Sequence, residues 1–253
     1  MIFEPDCALV EQVCAARNYG DRRGGAPIDM IVLHYTGMIG GAEALSYLTG
    51  EAGEVSCHYL VHENGGIVQM VPEDLRAWHA GVSYWRGETD INSRSIGIEI
   101  CNPGHDYGYR SFPEEQIAAV VALCADIVAR YPVAPRNVVA HSDIAPARKR
   151  DPGELFPWHR LAERQIGHWV EPVPVSEGGV LKTGSSGAEV KELREQLSCY
   201  GYGLGEGSQY DPQTEQCITA FQRHFRPAQV DGIADRSTRL TLKKLINSLD
   251  GYS

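Results

Sequence analysis

Three short apolar segments, each with polar residues at or near its end, constrain the fold of this chain more than any other feature. They are MIVLHY (30–35), SIGIEICN (95–102) and NVVAHSD (137–143). Short runs rich in β-branched residues and bounded by turn-forming residues are typical of strands. We therefore predict a strand at each of the three segments, the first of them buried.

Signals for helices and for a hairpin lie between these strands. The predicted elements are a helix over 40–49, a hairpin with arms 56–62 and 66–72 around ENGG, and a helix over 113–131. Pro113 suits the first turn of the longer helix, and Pro132 ends it. Strands mixed with helices in this way predict an α/β fold, in which helices flank a mixed β-sheet.

A segment rich in Pro and Gly, WVEPVPVSEGG (169–179), interrupts this pattern. Beyond it, apolar residues recur at helical spacing in three segments, 189–201, 211–225 and 235–249. The predicted organisation is a main domain over 1–170, a linker over 171–179 and a small three-helix domain over 180–253. A module with its own core can be removed without exposing another core, so we expect a chain that ends near Trp169 to fold.

Composition limits the partners and the location that we expect. The net charge of −10 argues against nucleic acid as the main partner, because phosphate binding needs a basic face. No apolar run reaches the length of about 18 residues that predicts a membrane span. The seven cysteines are scattered, which favours a reducing compartment. The first segment, MIFEPDCALVEQVCAARNYG, lacks a basic region followed by an apolar one. We expect a cytoplasmic location, with the periplasm reached by a non-classical route as the alternative; the oligomeric state is left open.

Two histidines and one carboxylate have the chemistry of a metal site. His34 ends the first strand, His141 follows the apolar residues VVA, and Asp151 comes ten positions later. Two imidazoles and a carboxylate form the open zinc geometry of hydrolases, which leaves one coordination position for water. Any one of the nine histidines is by itself more often a structural or surface residue, so spacing alone leaves both interpretations open.

Two further charged residues lie near these positions in the sequence. Glu99 interrupts the apolar residues of SIGIEI, and alternation along a strand directs it away from the face of Ile98 and Ile100. A carboxylate in such a strand needs a partner or a function, although a solvated sheet face is the alternative. Lys149 lies two residues before Asp151, so both can reach one cleft if the loop is extended. The alternative for Lys149 is a surface position in the basic loop RKR.

Four segments of the chain resemble a known family. IVLHYTG, RAWHAG, SIGIEICNPG and AHSDIAPARKRDPG are similar to the amidase_2 family of AmpD-type N-acetylmuramoyl-L-alanine amidases and peptidoglycan recognition proteins, over about residues 25–165. The resemblance implies that His34, His141 and Asp151 bind one zinc ion. It also implies catalytic roles for Glu99 and Lys149.

The same resemblance implies residues that contact substrate. Trp78 and His79 match the WHAG segment, which lies beside the sugar–peptide cleft in relatives, and Asn102 lies in CNPG. The alternative for Trp78 is an anchor in the core. The tail, over about residues 180–248, resembles a three-helix peptidoglycan-binding domain. The partners that we expect are therefore peptidoglycan or muropeptide fragments.

The function that the resemblance implies is zinc-dependent hydrolysis of the amide bond between N-acetylmuramic acid, or its 1,6-anhydro form, and L-alanine of the stem peptide. Such a reaction serves cell-wall turnover or recycling. A non-catalytic recognition protein and a metallopeptidase acting within the stem peptide are the main alternatives. A thiol hydrolase that uses Cys57 and His58 is a weaker one, because neighbours on a strand point apart. The tail favours polymeric substrate, and the lack of a leader favours soluble muropeptide.

Overall fold

A computed structural model describes residues 2–50 and 53–249 of the chain. Met1, residues 51–52 and residues 250–253, the end of the predicted tail domain, lie outside the described part. The strands are β1 (Gln12–Val13), β2 (Tyr19–Asp21), β3 (Met30–Tyr35), β4 (Tyr59–Val61), β5 (Ile67–Gln69), β6 (Leu75–Ala77), β7 (Ser95–Ile100) and β8 (Val138–Ala140). The α-helices are α1 (Gly41–Thr49), α2 (Ile91–Arg94), α3 (Gly104–Tyr107), α4 (Glu114–Arg130), α5 (His141–Ile144), α6 (Trp158–Ala162), α7 (Ala188–Tyr200), α8 (Pro212–Phe225) and α9 (Arg236–Asn247).

The main sheet has the strand order β1-β5-β4-β7-β3-β8 within the described residues. Only the hairpin pair β4–β5 is antiparallel among its pairings, and the other neighbours run parallel. The predicted mixed sheet and its hairpin are therefore confirmed. The sequence did not predict β1, β2 or β6, which are two or three residues long and carry no apolar run. The last two of these pair as a separate antiparallel ribbon.

Alternate residues of β3 face two different cores. Ile31 and Leu33 pack with α4, whose buried side chains include Val120 and Ile127. Val32 faces the other way and belongs to a different buried cluster. Because both faces of the sheet are covered, most residues of the central strands are apolar, as is typical of parallel strands.

The predicted third strand ends earlier than its sequence indicates. We predicted a strand over 137–143, but β8 stops at Ala140 and His141 begins a one-turn helix. The reason is local, because the carboxylate of Asp143 accepts a hydrogen bond from the backbone N–H of Ala140 at 2.8 Å. This bond turns the chain and directs His141 away from the strand.

The tail folds into the three helices that periodicity predicts. Asp211 accepts a hydrogen bond from the backbone N–H of Thr214 at 2.8 Å, and Asp235 does so from Thr238 at 2.7 Å. These caps fix the starts of α8 and α9 by satisfying N–H groups that have no partner inside the helix. None of the described helices has the length and apolar character needed to cross a bilayer.

The tail and the main domain share a buried cluster, although the sequence predicted a separate core for the tail. Trp85 of the main domain is 1% exposed and lies edge-on to Tyr202 of the tail, with 5.2 Å between the ring centroids. The same cluster contains Val32 and Ile144 on one side and Leu197 and Phe221 on the other. The domain boundaries themselves remain predictions.

Asp143 joins the two parts through buried polar contacts. Its Oδ1 accepts a hydrogen bond from the Tyr202 hydroxyl at 2.7 Å, and its Oδ2 lies 2.6 Å from Nδ1 of His224. The His224 ring is stacked on Trp158, with 3.6 Å between centroids. A buried carboxylate is costly without partners, so this part of the main domain depends on the tail for two of them.

We predict that a chain cut after Trp169 is less stable than the full chain. Each large apolar side chain that loses its cover costs about 1.5–3 kcal/mol, and the cut uncovers Trp85 and leaves Asp143 without its tail partners. Urea unfolding followed by circular dichroism should show a lower midpoint or aggregation. Leu240→Ala, at an exposed tail position, is the control and should stay within about 0.5 kcal/mol of the full chain. Equal midpoints for the cut and full chains would restore the expectation of independent folding.

Candidate active site

The site lies at the carboxyl ends of three neighbouring parallel strands. His34 is near the end of β3, Glu99 is paired with it in register on β7, and His141 directly follows β8. Ligand sites in α/β sheets typically lie at this edge. The loop after α5 returns to it, because the backbone N–H of Ser142 donates to the carbonyl oxygen of Asp151 at 3.0 Å.

Three side-chain atoms converge at the centre of the site. The Nδ1 atoms of His34 and His141 are 2.9 Å apart, and Oδ2 of Asp151 lies 3.0 Å from the first and 2.9 Å from the second. All three residues are buried. Within the described ranges, this is the group of histidine, cysteine and carboxylate side chains whose geometry suits a metal ion.

The hydrogen-bond geometry of His141 favours a cation between these atoms. Its Nε2 lies 3.1 Å from the carbonyl oxygen of Ala80, which can only accept a hydrogen bond, whereas Nη2 of Arg148, which can only donate, is farther away at 3.4 Å. Nε2 therefore carries the proton in the neutral ring, and the lone pair of Nδ1 faces the carboxylate of Asp151. A lone pair and a carboxylate repel each other unless a cation lies between them. Two imidazoles and one carboxylate are also a usual ligand set of hydrolytic zinc, so the residues present fit this ion.

Burial and mutual proximity set the ionisation of the cluster. Burial, helped by the nearby His141 ring, lowers the pKa of His34 to about 4. Burial alone would raise the pKa of Asp151, but its contacts with His141 and His34 hold it below its usual range. A neutral imidazole and an ionised carboxylate are the forms that bind metal.

Glu99 has an unusual environment for a carboxylate. Its Oε2 is buried and makes no hydrogen bond with any described residue, and the side chain lines the same cavity as the three converging groups. Burial raises the pKa of Glu99 well above its usual range; Asp151 adds to the rise and Lys149 opposes it. A raised pKa and a free oxygen are typical of an acid–base group.

The cavity has a volume of about 320 Å³ and brings together the residues that the sequence singled out for metal binding and catalysis. These are His34, Glu99, His141, Lys149 and Asp151. Sequence reasoning did not identify Tyr35, Tyr47 and Arg148, which also line it. Tyr35 and Arg148 are direct neighbours of predicted site residues, and that adjacency was the available signal.

The residues expected to contact substrate are placed differently. Trp78 and Asn102 are not among the residues that line this cavity. Asn102 instead holds a loop, since its Nδ2 donates to the carbonyl oxygen of Arg110 at 2.8 Å and its Oδ1 accepts from the N–H of Gly104 at 3.0 Å. Trp78 is partly buried. Substrate contact by these two residues remains a prediction that the cavity does not support.

His79 lies behind one of the converging histidines. Its Nδ1 is 3.0 Å from Nε2 of His34, and its Nε2 is 3.1 Å from Oγ of Ser95. Burial, with His34 as the next contribution, holds the pKa of His79 well below its usual range. Its ring reaches the cavity wall, but both of its nitrogens are engaged by protein groups.

Cys57 does not have the properties of a nucleophile. The thiol is fully buried, and burial, reinforced by Glu99, raises its pKa well above its usual range. The adjacent His58 is held elsewhere, because its Nδ1 accepts from the backbone N–H of Gly97 at 3.0 Å. A reactive cysteine needs an accessible thiolate, so the geometry disfavours a thiol hydrolase.

Comparison with known proteins identifies relatives that match most of the chain. Residues 24–154 match the N-acetylmuramoyl-L-alanine amidase family, and residues 186–242 match a family of peptidoglycan binding domains. N-acetylmuramoyl-L-alanine amidase AmiD of Escherichia coli (strain K12) is 40% identical over 231 residues, which cover 87% of this chain and 82% of AmiD.

Solved structures agree with this relationship. A complex of Escherichia coli AmiD with the substrate anhydro-N-acetylmuramic acid-L-Ala-D-gamma-Glu-L-Lys superposes with a TM-score of 0.76 at 37% identity, covering 91% of this chain and 93% of the other. AmpDh3 from Pseudomonas aeruginosa superposes with a TM-score of 0.74 at 30% identity, covering 99% and 100%. The fold, the arrangement of the site and these relatives together show that the chain belongs to the N-acetylmuramoyl-L-alanine amidase family and carries a peptidoglycan binding domain at its C-terminal end.

Proposed function

We propose that this protein uses one zinc ion to hydrolyse the amide bond between N-acetylmuramic acid, or its 1,6-anhydro form, and L-alanine of the stem peptide. One observation carries the proposal. The ligand atoms of His34, His141 and Asp151 converge in a cavity that also holds the unpartnered Glu99 carboxylate. The substrate bound to the AmiD relative contains this bond, which supports the choice of substrate.

The residues of the cavity divide the chemistry of amide hydrolysis between them. The chemistry that zinc supplies when bound by His34, His141 and Asp151 is polarisation of a carbonyl and a water whose pKa falls to about 7. Glu99 takes a proton from the attacking water, since its Oε2 has no hydrogen-bond partner among the described residues. The same carboxyl group then gives that proton to the leaving amine of L-alanine.

Lys149 stabilises the negative charge that develops on the scissile carbonyl oxygen. It lies two residues before Asp151 and lines the same cavity. A cation in a partly buried cleft stabilises such a charge more strongly than it would in open water. The products are a muramyl lactyl carboxylate and a peptide that begins with L-alanine.

The alternatives are less well supported. A recognition protein without activity needs neither the ligand set nor Glu99 and Lys149, yet all five residues line one cavity. A metallopeptidase acting within the stem peptide would use the same zinc chemistry, but the relatives that match most of the chain are amidases. Cleavage position is therefore the property to measure.

We expect one zinc ion per chain, held by the three converging residues. Elemental analysis of the purified protein should find about one equivalent, and His141→Ala should lose both zinc and activity because one ligand atom is removed. His159→Ala changes an exposed histidine of α6 and should keep both. A folded His141→Ala protein with full zinc content would contradict the ligand assignment.

Glu99→Gln and Lys149→Ala should keep zinc and lose rate. Removal of one general base or one oxyanion stabiliser costs about 10²–10⁴-fold in kcat, and neither residue is assigned as a ligand. Glu163→Gln and Lys182→Ala, at exposed positions, are the matched controls. Turnover near the unsubstituted rate in either cavity variant would remove the role assigned to that residue.

Mass spectrometry of the products tests the position of cleavage and the form of the substrate. With a soluble anhydromuropeptide we expect a free stem peptide that begins with L-alanine and an intact sugar with its lactyl carboxylate. A shortened peptide still attached to the sugar would instead indicate a peptidase. The same assay on intact sacculi, together with fractionation of host cells, decides between wall turnover and recycling and tests the cytoplasmic location that we propose.

A further inference from the structure

A buried row of hydrogen bonds leads from the backbone to one of the proposed zinc ligands. The hydroxyl of Ser95 donates to the carbonyl oxygen of Ile91 at 2.7 Å. Oγ of Ser95 lies 3.1 Å from Nε2 of His79, and Nδ1 of His79 lies 3.0 Å from Nε2 of His34. The opposite nitrogen of His34, Nδ1, faces Asp151 at 3.0 Å.

The direction of each bond in this row follows from the first one. The Ser95 hydroxyl has one proton, which it gives to a carbonyl that can only accept. Its oxygen must therefore accept the proton of Nε2 of His79. No carboxylate is among the hydrogen-bond partners of His79 in the described part of the chain, so its ring is neutral and its Nδ1 has a lone pair that accepts from Nε2 of His34. This leaves the lone pair of His34 on Nδ1, directed at the metal position.

The ring of His79 packs against β7 at a glycine, where the lack of a side chain leaves room for it. A Cβ atom on Gly97 would lie 2.5 Å from Cγ of His79, so only glycine at this point of β7 leaves room for the imidazole. The backbone N–H groups of His79 and Ala80 both donate to Oδ1 of Asn92, at 3.0 and 2.8 Å. The residue is thus fixed at its backbone, along its ring face and at both nitrogens.

We propose that His79 is a positioning residue, which together with Ser95 fixes the tautomer and the orientation of His34 so that Nδ1 binds zinc. This differs from the substrate contact that the family resemblance implies for His79. The proposal rests on the zinc function proposed above. It extends to His34 the arrangement found at His141, where the carbonyl of Ala80 fixes the tautomer directly. Groups that orient ligating histidines commonly change metal affinity about 10–100-fold when they are replaced.

Nuclear magnetic resonance of the zinc-loaded protein tests the tautomer directly, since zinc is diamagnetic. In a spectrum that correlates imidazole nitrogens with ring protons, His34 should carry its proton on Nε2, with Nδ1 unprotonated. A proton on Nδ1 of His34 in the unsubstituted protein would overturn the proposal. This measurement does not depend on activity.

Zinc affinity tests the consequence of the row. By competition with a chelator, His79→Phe should weaken zinc binding about 10–100-fold, because the larger apolar ring offers no acceptor to His34. His79→Asn should recover part of the affinity, since its amide oxygen can accept the same bond. Ser95→Ala should weaken zinc binding by a smaller factor, and Ser95 does not line the cavity. If His79→Phe does not fold, the zinc affinity of Ser95→Ala still tests the proposal. Ser237→Ala, a buried serine of the tail, is the matched control and should leave affinity unchanged.

The outcomes separate positioning from substrate binding. With zinc at saturation, a positioning role predicts a near-normal KM for a soluble muropeptide in Ser95→Ala. Unchanged zinc affinity with a raised KM in the His79 variants would show a substrate contact and overturn the proposal. Failure of the unsubstituted protein to bind zinc would reject the proposed function and this inference together, whereas normal zinc binding that is insensitive to His79 and Ser95 rejects only the inference.

Discussion

The parallel pairing of β3 with β8 is the constraint on which the site depends. The two histidines of the proposed metal site are 107 positions apart in the chain, and the pairing brings them to one edge of the sheet with their Nδ1 atoms 2.9 Å apart. The pairing in turn requires both faces of β3 to be covered. One face packs against α4 and the other contributes to the cluster shared with the tail. A substitution in either of the two cores that cover β3 would therefore affect the site by changing the distance between the ends of β3 and β8.

The sequence predicts the centre of the site because chemistry and secondary structure coincide there. His34 and Glu99 end apolar strands, and alternation alone directs Glu99 away from Ile98, as the structure has it. The loop that carries Lys149 and Asp151 has no such periodicity, so spacing left their roles open and family resemblance decided between the alternatives. Both line the same cavity as His34.

Other features could not be predicted because they depend on contacts between distant segments. Trp85 lies in a loop without periodicity, so its burial against Tyr202 is invisible in the sequence. Asp143 resembles an ordinary polar residue until the chain brings Tyr202 and His224 to it. His79 lines the cavity, but the direction of its ring depends on the space above Gly97. Such contacts hold the elements that surround the site in place, and the local pattern of apolar and polar residues in the sequence does not reveal them.

The core shared by the tail and the catalytic domain would have a mechanical consequence if this enzyme acts on a solid polymer. A catalytic domain joined to a binding domain by a flexible linker samples a volume around the bound domain, and it can cleave many bonds before the binding domain dissociates. Here the two parts meet through packed rings and a buried carboxylate. The fold therefore fixes the distance between the tail and the cavity. If the tail binds the polymer, each binding event places in the cavity only those bonds that lie at one fixed distance from the bound tail. Cleavage of the next bond then requires the tail to dissociate and bind again. The rate of cleavage on intact wall would then be limited by the rate at which the tail dissociates and rebinds. Cleavage of small soluble fragments would not be limited in this way.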